Sequence, residues 1–145
     1  MSKEKRLVIL NDVHAGSKFA AVPERWKLRD YGYAPSTEAN QWIYERYEGW
    51  VEEFKKPDIL ILAGDMVDGH AHINYGTEVW GDGYEQYKLA CYLVSKLEAK
   101  EIYVIFGSKY HVQLMGTPVE QFMAQALKAK GMGWRLRREL GGSIV

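Results

Sequence analysis

Three short stretches rich in Val, Ile and Leu punctuate the chain: Arg6 to Leu10, Asp58 to Leu62 and Glu101 to Phe106. Runs of this length without alternation predict strands of a parallel sheet covered on both faces. Between the first two, Ile43, Tyr47, Trp50, Val51 and Phe54 recur at helical spacing, with Glu45, Arg46, Glu48, Glu52 and Glu53 on the other faces, which predicts an amphipathic helix. Leu89, Ala90, Leu93, Val94 and Leu97 repeat that pattern before the third strand. Thr117-Pro118-Val119-Glu120 has the form of a capping box with proline at the first helical position, and Gly131 reads as the stop of this third helix. Trp134 to Leu140 alternates like a further strand, closed by Gly141-Gly142. Strand and helix alternating in this way predict an α/β fold, a largely parallel sheet flanked by helices. The stretch from Ala15 to Pro35 has no clear period and predicts a loop or insertion at the carboxyl end of the first strand, placed to wall or cover a site.

Composition narrows the class. The 145 residues are one domain's worth of chain, so a single domain over 1–145 is expected. With 47% hydrophobic and 26% charged residues the chain is not of the disordered type. Its longest apolar runs fall far short of the ~18 to 20 residues of a membrane-spanning helix, and no secretory leader follows Met1, so a cytoplasmic protein with no membrane partner is expected. A single cysteine, Cys91, excludes an internal disulfide and a cysteine-based zinc site, and its apolar neighbours place it in a core. Nineteen basic against nineteen acidic residues give no bulk field toward nucleic acid, so phosphate recognition has to be local.

The chemistry lies where the apolar runs end. The first runs into Asn11-Asp12-Val13-His14, the second into Gly64-Asp65-Met66-Val67-Asp68 and the third into Gly107-Ser108-Lys109-Tyr110-His111. In a parallel sheet these ends share one edge, so Asp12, His14, Asp65 and His111 converge from distant parts of the sequence. Carboxylates with imidazole form a hard-to-borderline donor set suited to Mn, Fe, Zn or Mg. The plain alternatives are turn-capping aspartates and ordinary loop histidines.

These motifs resemble the calcineurin-like metallophosphoesterases, whose D-x-H and G-D-x-x-D patterns match Asp12-Val13-His14 and Gly64-Asp65-Met66-Val67-Asp68 in order and context. The resemblance implies the first half of an α-β-β-α sandwich and up to two divalent metal ions, Mn before Zn, Fe or Mg. It implies that Asp12 and His14 bind one metal, that Asp65 bridges two, and that His111 is the catalytic acid protonating the leaving group as hydroxide attacks phosphorus in line. Asp68 is expected to hydrogen-bond behind the ligands. The third motif departs from the family's G-N-H-D/E, because Ser108-Lys109-Tyr110 stand where one asparagine is usual. Ser108 or Tyr110 is therefore a candidate substitute ligand, and Lys109 a point charge for a substrate phosphate. Gly69-His70-Ala71-His72 spells the family's later G-H-x-H at a different place, which makes His70 and His72 further candidate ligands or exposed loop residues.

The expected function is a metal-dependent phosphoesterase acting on phosphomono- or phosphodiesters, nucleotides or nucleic acid among them. Because Val145 is reached before the family's later histidine motifs, the alternative is a truncated, non-catalytic fragment or descendant of the fold, serving binding or assembly as a homo-oligomer or with a completing polypeptide. The aromatic set Trp42, Tyr44, Tyr47 and Trp50 reads as helix packing, whereas Tyr75, Trp80 and Tyr84 lie in a glycine-rich stretch near the expected site and are candidates for substrate stacking. Arg135, Arg137 and Arg138 read as a solvated strand edge.

Overall fold

The computed structural model describes residues 4–30, 32–69, 83–108, 111, 113–114, 117–135, 139–140 and 143–144. The elements in chain order are β1 (Leu7–Leu10), β2 (Lys27–Leu28), β3 (Gly32–Tyr33), α1 (Glu38–Phe54), β4 (Ile59–Ala63), α2 (Gly83–Ser95), β5 (Glu101–Ile105), β6 (Gln113–Leu114), β7 (Thr117–Pro118), α3 (Val119–Ala126), β8 (Gly131–Gly133), β9 (Glu139–Leu140) and β10 (Ser143–Ile144). Strands β1, β4, β5 and β8 form one sheet in that order, and every neighbouring pair is parallel. Three two-stranded antiparallel ribbons, β2–β3, β6–β7 and β9–β10, lie outside it. This is the predicted parallel sheet flanked by helices, the architecture of one half of a metallophosphoesterase α-β-β-α sandwich.

Register explains the core. Val8 pairs with Leu60, Leu10 with Leu62, Leu60 with Ile102 and Leu62 with Val104, so these six side chains share one face of the sheet. All six join one apolar cluster with Val51 of α1, Leu89, Ala90, Leu93 and Val94 of α2, and Val119, Met123 and Ala124 of α3. Burying each large side chain of such a cluster contributes roughly 1.5–3 kcal/mol. On the opposite face Ile9 is 56% exposed, so β1 is not covered on both sides as its unbroken apolar run predicts.

Four local expectations are corrected. The third helix does not start at a capping box: Thr117 and Pro118 pair with Leu114 and Gln113, Pro118 occupies the N-cap without a side-chain bond, and Glu120 is buried instead of reaching back. A capping box does open α1, where Thr37 Oγ1 accepts from the Asn40 amide at 3.1 Å and Asn40 Oδ1 accepts from the Thr37 amide at 3.1 Å. The helix after β7 ends at Ala126, and the fourth sheet strand is Gly131–Gly133 rather than Trp134 to Leu140. Trp42 is exposed, with Arg46 over its ring at 5.2 Å, while Tyr44, Tyr47 and Trp50 pack against the core as expected. Cys91 is half-buried beside that core, and burial pushes its thiol up to about 11.

Candidate metal centre

The parallel sheet brings the carboxyl ends of β1, β4 and β5 to one edge, and the pairing of β1 with β4 continues past the strands into the loops. The His14 amide donates to the Asp65 carbonyl at 3.0 Å, the Ala15 amide to the Met66 carbonyl at 3.0 Å and the Asp68 amide to the Ala15 carbonyl at 3.0 Å. Ala15 and Val67 form a parallel bridge. The two polar motifs are thus laced together by backbone before any side chain takes part.

The turns that follow the strands are sharp. Asp12, His14 and Asp65 all have left-handed φ, at 52°, 44° and 50°, and Gly64 stands at 89°. Such a conformation strains a non-glycine residue by about 1–3 kcal/mol, and aspartate is among the residues that tolerate it best. Three strained residues of this kind, all polar, at one edge of a sheet signal a functional constraint.

Glycines bring the loops after β4 and β5 into contact. A Cβ on Gly64 would lie 2.7 Å from the Gly107 Cα, and one on Gly107 would lie 2.3 Å from the Asp65 nitrogen and 2.4 Å from its Oδ1. Through this close approach the Ser108 amide donates to Asp65 Oδ1 at 2.7 Å. Ser108 therefore meets Asp65 through its backbone.

The side chains converge. One ligand atom each from Asp12, His14 and Asp65 lie within 4.8 Å of one another, and so do one each from His14, Asp68 and His111. His14 stands between two carboxylates, its Nδ1 3.5 Å from Asp68 Oδ1 and its Nε2 3.7 Å from Asp12 Oδ1. The Asp68 hydrogen bond, aided by the charges of Asp68, Asp65 and Asp12 and opposed by burial, raises its pKa. Asp12 also accepts at Oδ2 from Asn11 Nδ2. His111 Nδ1 lies 2.7 Å from the Asp68 carbonyl oxygen. A carbonyl only accepts, so Nδ1 carries the hydrogen of this bond. The His14 and His111 rings meet edge to face, centroids 4.5 Å apart.

Asp12, His14 and Asp65 are therefore brought together, and so are His14, Asp68 and His111. Lys109, Tyr110, His70 and His72 lie outside the described residues, as do Tyr75, Trp80, Arg137 and Arg138. Tyr84 opens α2, exposed, with its ring 5.9 Å from that of Tyr87.

Two buried polar side chains behind the loops escape a reading of the sequence. Gln86 of α2 is fully buried, its Oε1 accepts from the Gly69 amide at 2.9 Å, and its side chain occupies the space a Cβ on Gly16 would need. It ties the loop after β1 to the loop after β4. Glu120 of α3 is fully buried beneath Met66 and Gly107, and burial pushes its carboxyl up to about 7. The signal that could have found it is periodicity: positions 119, 120, 123 and 124 form the buried face of α3, and Glu120 falls on it.

The donor chemistry fits a divalent ion. His14 Nε2 and Asp12 Oδ1 face each other as two acceptors once the ring is neutral, an arrangement that a shared cation satisfies. Two clusters of His and Asp able to coordinate a divalent metal lie at the carboxyl edge of the parallel sheet. Residues 5–108 match the calcineurin-like phosphoesterase family, and the chain belongs to it. No curated protein matches the chain. Among the described residues no helix is long and apolar enough to cross a membrane.

Proposed function

We propose that this chain is a metallophosphoesterase, hydrolysing phosphomono- or phosphodiesters such as nucleotides or nucleic-acid backbones, with residues 1–145 acting as a single metallophosphoesterase-like domain. The observation that carries this reading is the convergence of Asp12, His14 and Asp65 within 4.8 Å at strand ends of a chain of this family. Asp12 and His14 hold one ion and Asp65 is shared with a second, with Ser108, His70 and His72 as candidates to complete the coordination. Divalent ions held there, Mn first and Zn, Fe or Mg as alternatives, supply charge stabilisation and an acidified water. Asp68 fixes the His14 ring by accepting from its Nδ1–H, so that Nε2 points its lone pair at the ion. His111, anchored at Nδ1 by the Asp68 carbonyl, has Nε2 to carry a proton to the leaving oxygen. Lys109 meets a substrate phosphate.

The test is hydrolysis of bis-p-nitrophenyl phosphate by the full chain. Turnover is expected with Mn added, none in EDTA, and none after Asp65→Asn. Turnover that persists in EDTA would overturn the reading.

The irregular third motif favours a second reading, a non-catalytic member of the family that keeps the metal for binding or assembly, alone as an oligomer or with a completing polypeptide. Mn binding without turnover on any phosphoester selects it.

A further inference from the structure

Among the described residues two glutamates, Glu85 and Glu120, are almost wholly buried, and they differ in their partners. Glu85, 1% exposed, accepts from the Arg29 amide at 3.0 Å and pairs with Lys88 Nζ at 2.9 Å. Glu120, 0% exposed, has neither carboxylate oxygen in a good hydrogen bond among the described residues. The amides of Met66 and Gly107 lie near enough to favour its charged form without reaching bonding geometry, and the charged side chain acting on it is Asp65, of like sign. A buried carboxylate with no cation is among the costliest groups a fold can contain.

Its position supplies a reason to keep it. Met66 directly follows Asp65, and Gly107 precedes Ser108, whose amide binds Asp65 Oδ1 at 2.7 Å. Glu120 therefore sits behind the two loops that carry Asp65, where a cation on the far side of those loops would offset its charge. We propose that Glu120 is a positioning residue of the metal centre, its carboxylate charge, which burial disfavours in the metal-free chain, balanced by ions held at Asp12, His14 and Asp65. The inference rests on the metal reading above, but concerns a residue outside the ligand clusters.

A residue of this kind has opposite effects on the metal-free and metal-loaded protein, which a purely structural residue does not. In the full chain, Glu120→Gln removes the charge at nearly constant shape, and Glu120→Asp keeps the charge. Calorimetric titration with Mn²⁺ should show affinity about 10–100-fold weaker for Glu120→Gln, with most of it retained in Glu120→Asp. Melting in EDTA should show Glu120→Gln as stable as the unaltered chain or more so. Equal Mn²⁺ affinity in Glu120→Gln and the unaltered chain would overturn the proposal, as would lost affinity accompanied by a lower metal-free melting temperature. If Glu120→Gln fails to fold, Glu120→Met, of similar volume among apolar neighbours, takes its place with the same expectations, and failure of both to fold would assign Glu120 a structural role and overturn the proposal. Absence of Mn²⁺ binding by the unaltered chain would overturn the metal reading and this inference together, whereas binding unaffected at Glu120 would overturn this inference alone.

Discussion

At the scale of single residues, the site is set as much by backbone conformation as by side-chain identity. Asp12, His14 and Asp65 are held in left-handed conformations just beyond the strand ends at the sheet edge. Which polar residues gather at the sheet edge is legible in the sequence, because each follows an apolar run. The left-handed φ values are not, since nothing in D-x-H distinguishes a strained turn from a relaxed one. Glu120 misleads for a similar reason: its spacing from Thr117 satisfies the capping-box pattern, but Thr117 is already engaged in β7, which leaves the glutamate to the interior. The anchored ring of His111 leads to a prediction at this scale. An acid matters in proportion to the basicity of the leaving group, and its removal typically costs ~100 to 10,000-fold. His111→Ala should therefore slow hydrolysis of alkyl phosphodiesters by that order while sparing bis-p-nitrophenyl phosphate, whose phenolate leaves unaided. Steady-state rates on both substrates check this, and equal losses would make His111 a ligand or a support.

At the scale of elements, the close approach of the loops after β4 and β5 is the most demanding contact. A methyl at Gly107 has no space beside the Asp65 backbone, so Gly107→Ala forces that loop to move, with overpacking costs of about 1–3 kcal/mol. Gly49 is the contrast, in the interior of α1 with nothing within 4 Å of where a methyl would stand, and Gly49→Ala should stabilise by roughly 0.5–1 kcal/mol. Urea unfolding of both variants, with Mn²⁺ titration of the first showing weakened binding, checks the pair. A second expectation concerns how α1 is held to the segment after α2. Lys96 Nζ lies 2.7 Å from Glu48 Oε1, and this ion pair, with the Tyr44 hydroxyl, lowers the pKa of Glu48. A lowered carboxyl contributes stability that is present above its usual value of 4.5 and lost as pH falls through the lowered one. The pair is only partly buried and is screened by solvent, so about 0.2–1 kcal/mol is expected. The stability difference between the unaltered chain and Glu48→Gln should be of that size near neutral pH and vanish in acid, and a difference that persists in acid would contradict it.

At the scale of the whole molecule, the order of strands and helices is readable because each long strand is a short apolar run and each long helix carries a clear apolar face. The sheet β1-β4-β5-β8 places its first three strands within a residue or so of the predicted stretches. The fourth escapes prediction: Gly131–Gly133 has two glycines and no apolar run, and is recognised as a strand only through its pairing with β5. Because the strands are parallel, residues nearly a hundred positions apart in sequence meet at one edge, and the central question is whether that edge holds metal. The most direct measurement is calorimetric titration of the metal-stripped chain with Mn²⁺, beside an Asp12→Asn, Asp65→Asn double variant whose circular dichroism matches the unaltered chain. A metal centre at Asp12, His14 and Asp65 predicts saturable uptake by the unaltered chain and none by the variant. No saturable uptake by the unaltered chain, or equal uptake by both, would contradict it.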